Sequence, residues 1–307
     1  MNDTTDQGPK FGHSSVLLHE IIHGLALQAG DIYVDGTLGS GGHAEAVAKK
    51  FGDTVQIIGI DVDTEALARS KARFEKITAN ASFVQGNFRN IDTILDTLSI
   101  PKVNRILLDI GLSSNQIDES ARGFSFKRDE PLQMTFAKDV TESDVTAEII
   151  VNEWQEDTLE TIITGFGEER FSRKIAHAIV FARKTEPIKS THQLVKIIES
   201  AVPAKYKRGK IHCATRTFQA IRIAVNQELQ ALDEGIRKGF ERLAPGGRIA
   251  VISFHSLEDR IVKNYFRDNA KNGRALLITK KPITAGQVEV AQNRRSRSAK
   301  LRIIEKI

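Results

Sequence analysis

The chain has 307 residues, 40% of them hydrophobic and 27% charged, with a formal net charge of +5. That supports one large domain or two ordinary ones with sizeable cores. No apolar run approaches the ~18 residues of a membrane span, and the opening MNDTTDQGPK lacks the basic and apolar segments of a secretory leader. The lone Cys213 excludes an internal disulfide and leaves a cysteine-based zinc site short of ligands. The expectation is a soluble cytoplasmic protein without a metal centre.

Residues 1–12 read as a disordered tail. A helix follows, with Leu18, Ile21, Ile22 and Leu25 on one face and Ser14 or Ser15 as its cap. Short apolar runs then end in polar residues at Ile32–Asp35, Gln56–Asp61, Ser82–Gln85 and Arg105–Asp109. Helical patterns at Ala44–Phe51, Thr64–Ile77 and Ile91–Leu98 separate them, the last with Asn90 as N-cap. Strands alternating with helices predict βαβ units and a parallel sheet covered on both faces.

The alternation stops after Asp109. From Asn115 to Cys213 only helical patterns are visible, among them Phe171, Ile175, Ile179 and Ala182 on one face and a second helix around Leu194–Ile198. Strand–helix order resumes with a helix over Thr217–Leu243, the turn Pro245-Gly246-Gly247 and the strand Arg248–Ser253. Ala275–Thr279 and Leu301–Ile304 are two late strands that can pair like a hairpin. The predicted organisation is an α/β domain over 13–114 and 214–307, interrupted by a helical domain at 115–213.

Charge is unevenly distributed. Asp139–Glu160 holds eight acids and no Lys or Arg, whereas Glu168–Arg216 holds twelve Lys or Arg against four Glu. Asn293–Ile307 holds six basic residues and one acid. Basic blocks attract phosphate backbones, although a solvated surface produces the same pattern.

The first strand ends in Asp35-Gly36-Thr37-Leu38-Gly39-Ser40-Gly41-Gly42-His43 before a helix. Glycines allow close backbone approach to a ligand and positive φ, and the helix start offers free N–H groups. Asp61 ends the next strand, where a carboxylate can accept from both ribose hydroxyls. Together these form a nucleotide-site signature. Gly39 to Ala44 formally satisfies the dinucleotide pattern, so an NAD-dependent oxidoreductase is one reading. Asp35 at the strand tip and Gln85-Gly86-Asn87-Phe88 after the third strand favour S-adenosylmethionine, which needs no pyrophosphate cradle.

The fourth strand delivers Asp109-Ile110-Gly111-Leu112-Ser113-Ser114, an acid and two hydroxyls at the sheet's carboxyl edge. Ser253-Phe254-His255-Ser256-Leu257-Glu258-Asp259 ends the fifth. Ser256 to Asp259 reads there as a capping box. His255 is then either a local pre-cap residue or a group facing the crevice.

These segments closely resemble the ribosomal RNA small subunit methyltransferase H (RsmH, or MraW) family. The likeness runs through HSSVLL at His13–Leu18, DGTLGSGGH at Asp35–His43, LLDIGLSS at Leu107–Ser114 and RGFSF at Arg122–Phe126. It continues through GEERF at Gly167–Phe171, HCATRTFQAIRI at His212–Ile223, LAPGGRIAVISFHSLEDR at Leu243–Arg260 and RSAKLR at Arg297–Arg302. The resemblance implies a class I, Rossmann-like S-adenosylmethionine-dependent methyltransferase fold with an inserted all-helical domain. It implies N4-methylation of a cytidine in 16S rRNA of the small ribosomal subunit, at the decoding centre near the P site. Cofactor contacts carried over are Gly41, Gly42, His43, Asp61, Phe88, Asp109 and Gln116, to which Asp35 and Gly39 are added from position.

Asp109, Ser113, Ser114 and His255 are the candidates for holding the reacting amine, and Phe124, Phe126 or Phe254 for stacking on the base. Arg170, Arg173, Lys174, Arg183, Lys205, Lys207, Arg208 and Lys210 are the expected RNA contacts. Gln133 and Thr135 depart from the family's usual acid and arginine, and Cys213 from its usual proline. Besides the oxidoreductase, a non-catalytic RNA-binding assembly factor and a DNA cytosine methyltransferase are alternatives. The oligomeric state is open, a homodimer included.

Overall fold

The computed structural model describes residues 15–112, 116–117, 120–141 and 144–307. Contacts divide the chain into a sheet unit, residues 1–61, 66–111 and 236–307, and a helical unit, residues 62–65 and 112–235. Among the described residues no helix is long and apolar enough to cross a membrane.

The sheet unit is a Rossmann-like α/β layer. Its strands are β1 (Ile32–Asp35), β2 (Gln56–Asp61), β3 (Asn80–Gln85), β4 (Val103–Asp109), β5 (Leu243–Ser253), β6 (Ala275–Leu277) and β7 (Lys300–Lys306). Their order is β3-β2-β1-β4-β5-β7-β6. The first five are parallel, and β7 enters antiparallel between β5 and β6. The two late strands thus pair as expected. β1 and β4 adjoin where the strand order reverses, so their carboxyl ends flank the crevice typical of such sheets.

Alternation along the strands feeds both faces. Tyr33, Ile57, Leu107, Ala250 and Ile303 share one core with α1 (Leu18–Leu25), α2 (Gly42–Phe51) and α3 (Thr64–Phe74). On the other face Gly239 lies against Ile106, Ile249 and Ile91 of α4 (Ile91–Thr97), where a Cβ would be in tight contact. Pro245-Gly246-Gly247 lies within β5 as a bulge: Val103 pairs Leu243, but Arg105 pairs Arg248. Arg105 closes this irregularity by donating to the carbonyls of Gly246 (3.1 Å) and Asn104 (2.9 Å).

The helical unit contains α5 (Ala147–Glu153), α6 (Glu156–Gly165), α7 (Ser172–Ala182), α8 (Thr191–Ala201), α9 (Ala204–Lys207) and α10 (Thr215–Asn226), and α11 (Glu228–Arg242) begins in it. Ile150, Leu159, Ile175, Leu194, Phe218 and Ile221 belong to its separate core. Among the described residues its only β pairing is the isolated bridge of Pro131 with Ser190. The expected boundary at residue 213 falls inside this unit, because Cys213, Ala214 and α10 pack into its core.

The single helix expected over Thr217–Leu243 is two. Gln227 adopts a left-handed conformation, φ 48°, and ends α10. Arg222 bridges the break with two 2.8 Å bonds to the Glu228 carboxylate. Two caps also differ. Leu17, not a serine, precedes α1 and makes no side-chain cap; Ser14 lies outside the described residues. Asn90 makes no cap bond at α4, and Asn87 instead caps the short turn before it.

Candidate functional site

The glycine turn leaves β1 and is fastened to the tips of its two neighbours, β2 and β4. Gly36 N–H donates to the Leu107 carbonyl (2.9 Å) and Leu38 N–H to Ile60 (3.0 Å), while Thr37 Oγ1 accepts from Asp109 N–H (2.6 Å). Gly39 and Gly41 have φ of +54° and +76°, which side-chain-bearing residues rarely adopt. A Cβ on Gly41 would meet Ser70 Oγ at 2.9 Å, and one on Gly42 would meet Ser15 Oγ at 2.2 Å. Ser70 itself donates to the Gly39 carbonyl (3.0 Å), fixing the turn from α3.

Five ionisable groups gather there. Asp61 Oδ2 accepts from Gly39 N–H at 2.7 Å. Asp35, at the buried end of β1, accepts from Thr37 N–H (3.2 Å) and from the Tyr33 hydroxyl (3.4 Å). Burial pushes its carboxyl up to about 6, with Asp109 and Asp61 adding repulsion and His43 opposing. Burial, with the Asp35 charge, also pushes the Tyr33 phenol well above its usual range. His43 Nε2 lies 3.6 Å from Asp109 Oδ2. Both His43 ring nitrogens and Asp109 Oδ1 are buried without a hydrogen bond. Buried polar atoms normally have partners, so these three atoms are what a bound polar ligand would satisfy.

Of the predicted site, Asp35, Gly39, Gly41, Gly42, His43, Asp61 and Asp109 therefore converge in the sheet unit. Half-buried Phe88 follows β3, and a Cβ on Gly36 would come within 3.2 Å of its Cβ. Gln116 lies in the helical unit, and its carbonyl accepts from Ser120 Oγ (2.6 Å). Ser113 and Ser114 lie outside the described residues.

His255 is the N-cap of α12 (Ser256–Lys271), displacing the expected cap at Ser256. Its Nδ1 accepts from Glu258 N–H (3.4 Å), and its Nε2 lies 2.9 Å from Glu258 Oε1. The buried Glu258 carboxylate also accepts from the N–H groups of Phe254 (2.7 Å) and His255 (3.3 Å). Both ring nitrogens thus face the start of their own helix. Glu258 gave no sequence signal beyond its place three residues after the cap.

The expected stackers lie in packed surroundings. Phe124 stacks on Phe136 with centroids 5.8 Å apart, Phe126 lies against His212 and Phe218, and Phe254 packs on Gly111. In the basic block, Arg173, Lys174, Lys205, Lys207, Arg208 and Lys210 are exposed. Arg170, also exposed, places its guanidinium over Phe171 and Tyr206, 4.8 and 4.6 Å from the ring centroids. Arg183 is half-buried and donates to the Val151 carbonyl (2.9 Å), which commits it to packing.

Arg122, which the RGFSF motif carries without a role, is placed by the structure. Its guanidinium donates to Asp63 (2.8 Å) and to the carbonyls of Thr135 (3.2 Å) and Phe136 (2.7 Å). Asn226 grips the same loop, donating to the Met134 carbonyl and accepting from Phe136 N–H, each at 2.8 Å. The loop is held through its backbone, so departures at Gln133 and Thr135 leave these bonds intact. Cys213 is buried in the helical core, and burial with the nearby Glu199 pushes its thiol up.

A model of the MraW methylase family matches residues 10–307. A protein of Clostridium botulinum (strain Kyoto / Type A2) named Ribosomal RNA small subunit methyltransferase H is 45% identical over 97% of this chain and 100% of its own length. Proteins of the same name from Heliobacterium mobile and Lachnospira eligens are 43% and 42% identical, again over 97% of this chain, and over 100% and 98% of their own lengths.

Proposed function

The chain belongs to the MraW methylase family, and on that premise we propose that it transfers a methyl group from S-adenosylmethionine to N4 of a cytidine in small-subunit ribosomal RNA. The observation that carries this reading is the set of unpartnered buried atoms on His43 and Asp109 beside the glycine turn and Asp61. These groups fit the cofactor: carboxylates for a cationic end and ribose hydroxyls, an aromatic for a purine, and a turn with no phosphate cradle to fill. The oxidoreductase and non-catalytic readings gain no support from the relatives. The reading places the protein in the cytoplasm, with the ribosome.

The cofactor supplies a sulfonium methyl already activated for displacement. The protein's work is then alignment, which is worth several kcal/mol of barrier when reactants sit in attack geometry. Asp61 would take the ribose hydroxyls and Phe88 the adenine face. Asp35 and His43 would hold the amino-acid end, under a turn fixed by Ser70 and Thr37. The cytosine amino lone pair is delocalised into the ring and becomes nucleophilic as nitrogen pyramidalises, which an acceptor for its N–H favours. Asp109 Oδ1, buried and unpartnered at the tip of β4, is the leading acceptor. His255 is a second candidate: its Nδ1 accepts from Glu258 N–H, while its buried Nε2, 2.9 Å from Glu258 Oε1, makes no hydrogen bond. A target base within folded RNA must leave its stack to reach this edge.

The test is methyl transfer to 30S subunits lacking the modification, with mass mapping of the product nucleotide. Label on a cytidine at N4 is the expected result; label at another atom or base overturns the specificity.

A further inference from the structure

The basic C-terminal block lies at the edge of the sheet that carries the site. β7 runs antiparallel to β5 and pairs Lys300 with Ser253, so its start lies level with the end of β5. Immediately before it, Arg294–Ser298 forms a short 3₁₀ turn of sequence RRSRS. That turn therefore sits at the edge where Asp61 and Asp109 end their strands. β7 is two strand spacings, about 10 Å, from β4.

In a 3₁₀ helix side chains at i and i+3 eclipse. Arg294 and Arg297 have that spacing and both are exposed. Two guanidiniums on one side of a tight turn repel each other unless an anion lies between them or beside both. Among the described residues, no acid holds either one. The nearby acids are otherwise committed: Asp259 pairs with Arg302 (2.7 Å) and Lys300 (3.3 Å), and Glu289 accepts from Leu17 N–H (2.7 Å).

The turn is also closed by its own hydrogen bonds. Asn293 Oδ1 accepts from Arg295 N–H (3.1 Å), and the fully buried Ser296 donates from Oγ to the Asn293 carbonyl (2.7 Å). Ala299 N–H closes onto the Ser296 carbonyl (3.0 Å). Such a turn presents two planar forks from one bonded backbone, a geometry that matches phosphate oxygens better than lysine's point charge does.

The geometry points to Arg294 and Arg297 as a phosphate clamp that grips the RNA backbone next to the nucleotide presented at the sheet's carboxyl edge. The clamp deepens the methyltransferase reading and rests on it.

The test compares wild type with Arg294→Gln/Arg297→Gln and with Arg294→Lys/Arg297→Lys, using unmodified 30S subunits across a range of salt. Both side chains are exposed, so thermal unfolding and S-adenosylmethionine affinity should match wild type in all three. The Gln pair should bind subunits roughly tenfold or more weakly, with the log–log salt slope reduced by about one to two. The Lys pair should recover the slope but only part of the affinity, because charge returns without the fork. Unchanged affinity and slope in the Gln pair, alongside normal wild-type methylation, overturns the clamp alone. No transfer to subunits by wild type overturns the functional reading beneath it.

Discussion

At the scale of single residues, Asp35 links the site to pH. Its folded value of about 6 lies above the ordinary carboxylate value of 3.8, so the native state holds this proton more tightly than the unfolded chain. Stability from this group is full below about pH 4, is lost as pH rises toward 6, and is flat above. Asp35→Asn removes that loss. Its stability advantage over wild type should be absent at low pH, grow between pH 4 and 6, and level off at on the order of 3 kcal/mol. Denaturant melts at stepped pH check this; a constant offset contradicts it. Asp61→Ala should weaken S-adenosylmethionine binding by about 1.5–3 kcal/mol by calorimetry, the size of charge-assisted bonds. Asp109→Ala should lose both cofactor affinity and single-turnover rate. The rate loss should be roughly a hundred- to ten-thousandfold if Oδ1 accepts the amine proton, and within about threefold if the acceptor is elsewhere.

At the scale of elements, His255 is the sharpest case. As the N-cap of α12 it should be replaceable by asparagine, a strong capping residue, with methylation within about threefold of wild type. His255→Ala should instead cost about 1 kcal/mol of stability. A hundredfold rate loss in the Asn variant at intact substrate binding would give the imidazole a chemical part. Sequence favoured Ser256 here because serine is the commoner cap, and nothing local reveals that Glu258 turns back onto residue 255. Other elements were easier to read. β1 and β2 match their expected limits because each apolar run stops at an aspartate, and the glycine turn sits where its motif placed it. The break at Gln227 was hidden because Ile221, Val225, Leu229 and Leu232 keep helical spacing across it. Arg122 was hidden because its partners include two carbonyls, which leave no mark on sequence. Removing it takes the ion pair from the buried Asp63 carboxylate, which keeps its bond from Glu65 N–H, so Arg122→Ala should destabilise by about 3 kcal/mol.

On the scale of the whole molecule, charge is sorted along the chain: the acidic block at 139–160 and the basic block at 168–216 both lie in the helical unit. Reversing Lys205, Lys207 and Arg208 together should weaken 30S binding and flatten its salt dependence while leaving S-adenosylmethionine affinity unchanged; normal subunit binding would reduce the block to a solvated surface. The sheet has a different whole-chain property. Ile106 pairs with Ile249 and Leu107 with Ala250, although residues 110–242 intervene. Closing a loop of that length carries an entropic cost that grows with the logarithm of its contour, and topologies rich in such distant pairings fold slowly. The intervening helices have a core of their own, and contacts close in sequence form first. A collapsed insert shortens the effective tether before β5 reaches β4. The helical unit thereby acts as a kinetic clasp for the strand pair beside the site. Mutations in its core should slow refolding of the sheet even where they touch no residue of it.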